Sequence, residues 1–152
     1  MRCSRWILLI VPTLVLASCG EKNMTAEEWN TREVSMPDGR KVRAEVLIDR
    51  RDLMRGMMFR DSLAPDHGLL FIHPLAAKVP YWMYQVKVPL DIVWMDKDHT
   101  VVEVLANVPP CPSASAKECP SFGGNRDALF VIELAAGMAG KYKVTAGSRL
   151  EF

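Results

Sequence analysis

Asp91 stands between Leu90 and Ile92 in an otherwise apolar run, where a carboxylate has the strongest reason to be doing chemistry. An ionised group there needs a partner such as Arg55 or Arg60. The arrangement reads either as an acid/base or ligand-gripping centre, or as a buried ion pair or hydrogen-bonded cap that serves the fold. A hydrolase made of carboxylates would add Asp66 or Glu133, although no spacing in the sequence brings two carboxyl groups together. Trp82, Met83 and Trp94 could line a pocket for a sugar or another flat ligand, and the same residues suit a core. Met54, Met57 and Met58 recur at helical spacing and, with Met83, Met95 and either His67 or His73, offer soft sulfur to copper(I). Methionine is also a common filler of irregular cores, and that packing role is the competing explanation.

Other chemistries lack their residues. There is no nucleophile elbow, no zinc helix with paired histidines, no phosphate loop and no dinucleotide fingerprint, so no cofactor is expected. The 152 residues carry 19 basic and 18 acidic side chains, with 24% charged and 49% hydrophobic. That balance supplies no strong field for a nucleic acid, and the composition is globular rather than disordered. The length suits one domain, and no internal repeat suggests a second.

The elements that would position these residues are mostly strands. Glu33–Met36 and Lys41–Ile48 flank Pro37, Asp38 and Gly39, a turn that predicts a β-hairpin. Val42, Ala44, Val46 and Ile48 alternate with Arg43 and Glu45, so one face of the second strand is buried. Asp49 is placed to cap a short helix with Leu53, Met54, Met57 and Met58 on one side and Arg51, Asp52 and Arg55 on the other. Gly56 within it costs about 1 kcal/mol relative to alanine and points to close packing. After a loop over 61–68, strands are expected at Leu69–Ile72, stopped by His73 and Pro74, and then at Pro80–Val86, Leu90–Met95 and Thr100–Val108. The last two join through a tight turn at Asp96–His99. Ala128–Leu134 is a further strand, Ala135–Lys141 a bend or short helix, and Arg149–Phe152 a closing strand. The fold expected is mainly β: a compact curled sheet or partly closed barrel of about seven short strands with one or two short helices, which protects its edges.

The amino terminus points to a compartment. Arg2 and Arg5 precede the apolar run Trp6–Leu16, which is shorter than the roughly 20 residues a membrane-spanning helix needs. Leu16, Ala17, Ser18 and Cys19 then resemble a bacterial lipoprotein signal. The resemblance implies cleavage before Cys19 and acylation of its thiol, and several acyl chains on one residue anchor stably. Gly20 follows, not the aspartate that usually retains lipoproteins at the inner membrane, so the periplasmic face of the outer membrane is expected. The division is then 1–18 as signal peptide, 19–30 as lipidated terminus and tether, and 31–152 as one globular domain. Losing Arg2 and Arg5 with the leader leaves 134 residues of formal net charge −1.

Cys3 departs with the leader and Cys19 is assigned to lipid, which leaves Cys111 and Cys119 around a polar loop. A disulfide closing these nine residues would contribute roughly 2 to 3 kcal/mol on the chain-entropy model. A free thiol pair fits poorly outside the cytosol, and a redox site would want a two-residue spacing.

Arg55-Gly56-Met57-Met58-Phe59-Arg60, Leu63, Gly68-Leu69-Leu70-Phe71, Trp82-Met83, Pro89-Leu90-Asp91 and Ala136-Gly137 follow one another as in the bacterial and archaeal family called domain of unknown function 192. The chain resembles that family from about Val42 to Phe152. The resemblance implies a small, mainly β, often exported domain with no established activity. Where the family commonly carries a polar stretch with asparagine and threonine, this chain has Tyr84, Gln85 and Val86, so a family ligand site there would be altered. Together these readings give an expected lipid-anchored envelope protein, monomeric, binding a small molecule, a glycan or another envelope protein. Its ligand-binding candidates are Arg55, Arg60, Trp82, Met83 and Asp91.

Overall fold

Alternating apolar residues pair strands into a sheet whose two faces must both be covered, and the way they are covered sets the architecture. The computed structural model describes residues 30–152. The leader, Cys19 and all of the expected tether except Asn30 lie outside these residues. In chain order the elements are β1 (Thr31–Ser35), β2 (Lys41–Leu47), α1 (Arg50–Arg55), β3 (His67–Lys78), β4 (Tyr81–Trp82) and β5 (Leu90–Met95). They continue with β6 (Val101–Val108), a 3-10 turn at Ala116–Glu118, β7 (Ser121–Phe122), β8 (Asp127–Ala135) and α2 (Met138–Lys141). Six strands form one mixed sheet in the order β1-β2-β3-β8-β5-β6, and β4 pairs with β7 in a small second sheet.

The β1–β2 hairpin turns where Pro37-Asp38-Gly39 predicts. Asn30, expected in the tether, instead joins the domain: its side-chain amide donates to the Val46 carbonyl at 2.8 Å. β2 and β3 run parallel, which requires a crossover, and residues 48–66 with α1 provide it. Every other neighbouring pair in the large sheet is antiparallel.

One face of the sheet packs Val42, Ala44, Leu70, Ile132 and Leu134 against α2 and the C-terminal segment through Ala139, Tyr142, Val144 and Leu150. The other packs Leu69, Phe71, Ile92, Trp94 and Val131 beneath Met57, Met83 and Val86. β5 lies between both layers and is buried at all six residues, which explains a run that is apolar apart from Asp91.

Several boundaries differ from expectation. β2 ends at Leu47, and Ile48 is exposed. β3 does not stop at His73 and Pro74 but continues to Lys78, because its register against β8 shifts between Ile72 and Ala77 and the proline falls in that irregularity. Of Pro80–Val86 only Tyr81–Trp82 is strand. Met83 and Val86 are both buried, and a turn in which the Val86 N–H donates to the Met83 carbonyl lets both reach the core. The expected closing strand at 149–152 is reduced to two isolated bridges, Thr100↔Arg149 and Ser35↔Glu151. These tie one segment to both edges of the curled sheet, which is not a closed barrel.

α1 is shorter than the methionine pattern suggests. Asp49 makes no side-chain cap, and the helix ends at Arg55 because Gly56 adopts φ 41°. A Cβ at Gly56 would lie 2.9 Å from Phe71 Cζ. The close packing expected there is present, at the end of the helix rather than inside it. Gly56→Ala is therefore expected to lose about 2–4 kcal/mol from backbone strain and overpacking combined, read as a lower denaturant midpoint at unchanged slope.

Candidate functional site

Asp91, at the second position of β5, is fully buried. Oδ1 accepts the backbone N–H groups of Asn107 at 2.8 Å and Gly137 at 3.0 Å, and Oδ2 accepts that of Ala139 at 2.7 Å. The expected arginine partner is replaced by three backbone amides. Two of them open α2, where N–H groups have no partner inside the helix, so an anion is favoured there. One carboxylate thus joins β5, β6 and α2. Backbone donors leave no side-chain signal in a sequence, whereas an arginine partner does. The motif blocks carrying Asp91 and Gly137 prove to be in direct contact.

Arg60 instead holds Glu45 by two hydrogen bonds, 2.6 Å and 2.9 Å long. Arg55 is exposed at the end of α1. Glu45, Leu69, Glu133 and Ile92 are in register across four adjacent strands and therefore share a face. Within this row Glu133 is 3% exposed and its Oε2 has no hydrogen-bond partner. Burial pushes its carboxyl up to about 8, against a weaker opposing pull from the Arg60 guanidinium. Tyr81 is raised by burial and then by the nearby Glu133 charge, while burial lowers His73. Tyr81 Oη and His73 Nε2 share a hydrogen bond of 3.0 Å. Glu133 was legible as a weak signal, since it interrupts Val131-Ile132-Glu133-Leu134 as Asp91 interrupts its own run.

Trp82, Met83 and Trp94 do not line a common pocket. Met83 and Trp94 are fully buried, and the Trp94 indole N–H donates to the Val79 carbonyl at 2.9 Å. Trp82 is 37% exposed and lies beside Tyr84, with ring centroids 5.7 Å apart and planes tilted by 47°. The Tyr84 hydroxyl reaches the Ala114 carbonyl within the loop closed by the Cys111–Cys119 disulfide. Phe59, exposed and at φ 66°, donates its N–H to the carbonyl of Gln85, itself at φ 59°. Two left-handed residues other than glycine are therefore joined by a backbone hydrogen bond, in a conformation that costs energy.

The methionines do not converge either. Met54 is exposed, Met57 is buried and Met58 lies beyond the helix, because α1 stops before the last two. Among the described residues no group of three or more His, Cys, Asp or Glu side chains could hold a metal ion. His67 engages Asp66 through Nδ1, 2.9 Å from Oδ1, and lies at the first position of β3, an element that carries none of the methionines.

A mixed, curled sheet pinned by one buried aspartate, with its signature segments meeting in the core, defines a class of small mainly β domains. The chain belongs to the DUF192 family, described as "Uncharacterized ACR, COG1430", whose model matches residues 33–152. A crystal structure of a protein from Sinorhizobium meliloti 1021, described as a candidate transcription regulator, is similar at 29% identity and TM-score 0.67, covering 78% of this chain and 89% of that one. A protein of unknown function from Novosphingobium aromaticivorans DSM 12444 shares the fold at 24% identity and TM-score 0.69, covering 80% of this chain and 85% of its own. No curated protein matches the chain.

Asp91→Asn should cost about 2–4 kcal/mol, because the amide cannot accept three N–H groups and turns its own donor towards one of them. Thermal melts check this. Glu133 gives a pH dependence of the opposite kind to an ordinary paired carboxylate. It holds its proton to about 8 in the fold, against an ordinary value of 4.5, so its contribution is full below 4.5 and is lost as pH rises to about 8. Denaturation across that window should show wild-type stability falling relative to Glu133→Gln, whose side chain does not ionise.

Proposed function

We propose that this chain is a lipid-anchored cell-envelope protein whose globular domain is a non-catalytic binding or accessory module for a small molecule, a glycan or another envelope protein. The observation that carries the reading is the state of Asp91. The carboxylate best placed by sequence to do chemistry is fully buried and saturated by three backbone amides, so it is committed to the scaffold. The exposed ring of Trp82, with Tyr84 beside it, and the exposed ring of Phe59 supply faces that a flat or cyclic ligand can stack upon. The anchor rests on the Leu16-Ala17-Ser18-Cys19 pattern, and the Cys111–Cys119 disulfide agrees with an oxidising compartment. The transcription role named for the Sinorhizobium relative is less favoured, since 19 basic against 18 acidic residues offer no general attraction to nucleic acid.

A hydrolase is the second reading, and the unpartnered Glu133 Oε2 is what favours it, because a neutral buried carboxyl is suited to general-acid work. The two readings separate cleanly. Thermal-shift screening of the full chain against sugars, peptides and metal ions should give a stabilising ligand whose effect is lost in Trp82→Ala at unchanged fold, with no turnover. Turnover abolished by Glu133→Gln would replace the module with an enzyme. Intact-mass analysis of envelope material should find acyl chains on Cys19, and Cys19→Ser should release the protein from the membrane fraction.

A further inference from the structure

A second polar site lies away from the aromatic rings, on the side of the sheet where β1, β2 and the start of β3 meet. A groove of about 460 Å³ opens there, a volume within the range of small-ligand sites. Pairing register sets Glu33, Arg43 and His67 side by side on the three strands, with Lys41 two residues from Arg43 on the same face. The groups in this groove are not equally available. Lys41 is paired with Glu33. Asp66 Oδ1 engages His67 Nδ1 at 2.9 Å, which leaves Nε2 as the ring nitrogen able to meet a ligand. This hydrogen bond from His67 also holds the Asp66 carboxyl below the usual range, so the acid is ionised and committed to the imidazole. The Arg43 backbone N–H donates to the Asp66 carbonyl at 2.9 Å and fixes that corner. The Arg43 side chain is exposed and makes no ion pair among the described residues. Both acids are spoken for, and the Arg43 guanidinium and an imidazole nitrogen remain on this face, with Arg32 also lining the groove from the alternate position of the first strand.

We propose that this groove is an oxyanion site in which Arg43, assisted by His67 Nε2, binds a phosphate group. A guanidinium matches phosphate oxygens with two parallel hydrogen bonds, and no acid remains to recruit a cation instead. The inference deepens the binding-module reading by naming a ligand class, and it rests on that reading only for where the phosphate comes from. Thr31, which also lines the groove, begins the first strand. The twelve residues from Cys19 span at most ~40 Å when extended, so an anchored domain could reach an anionic lipid headgroup as readily as a free phosphate ester.

The test uses the full chain, isotope-labelled, in neutral detergent micelles at constant ionic strength. One arm titrates inorganic phosphate, and the other dopes the micelles with phosphatidylglycerol, with phosphatidylcholine as control. Saturable resonance shifts at Arg43 and His67 are expected, weakened about tenfold by Arg43→Gln at unchanged melting temperature. Glu33→Gln should tighten binding by releasing Lys41. Shifts with phosphatidylglycerol alone would assign the headgroup as source, and shifts with phosphate would assign a free ester; both uphold the site if they depend on Arg43. No saturable shift in either arm, or a shift that Arg43→Gln leaves intact, overturns it. An unacylated Cys19 would remove the anchor and leave the phosphate arm standing, so the two failures are distinguishable.

Discussion

A carboxylate shut away from water must be satisfied by the protein around it, and the way Asp91 meets that requirement holds the architecture together. Its two oxygens gather amides from the neighbouring strand β6 and from the opening of α2, which follows more than forty residues later, onto β5. α2 has only four residues and could not persist in isolation, since short helices are not self-supporting in water. Its presence over the first core layer follows from Asp91 and from the packing of Ala139. Position, not acidity, is what this side chain contributes.

The same logic extends to the other signature segments. Gly56 approaches the Phe71 ring so closely that no side chain fits, and the turn it begins places Met57 in the second core layer. Met83 belongs to the same layer. Segments far apart in the chain are thus recurring neighbours in space. A family pattern that looks like a list of candidate functional residues proves largely to be an account of how two apolar layers are locked onto one sheet. Arg60 is the exception, because its guanidinium lies half-exposed with Glu45 at the edge of the layer, next to the buried Glu133.

Much of the fold was legible because it depends on local pattern. The alternation in β2, the Pro37-Asp38-Gly39 turn, the apolar run of β5 and the turn at Asp96–His99 all lie where side-chain period and turn chemistry put them. What could not be read depends on partners. That β3 continues through Pro74 follows from an irregular register with β8. The turn that replaces the later part of the expected Pro80–Val86 strand follows from Met83 and Val86 both needing the same core. Site residues divide in the same way. Trp82 and Met83 are adjacent and similar in character, yet one faces solvent and the other the core. The neutrality of Glu133 depends on burial among strands that sequence alone does not assemble.

The strand order carries a kinetic implication. β8 is inserted between β3 and β5, pairing Gly68 with Leu134 on one side and Met95 with Phe130 on the other. Two strands from the middle of the chain must therefore wait, their apolar faces and main-chain groups unsheltered, for a strand that comes much later. Loop closure over such distances is slow, which places this domain among the unhurried folders. The interval before β8 docks is when the chain is most open to non-native association with its neighbours.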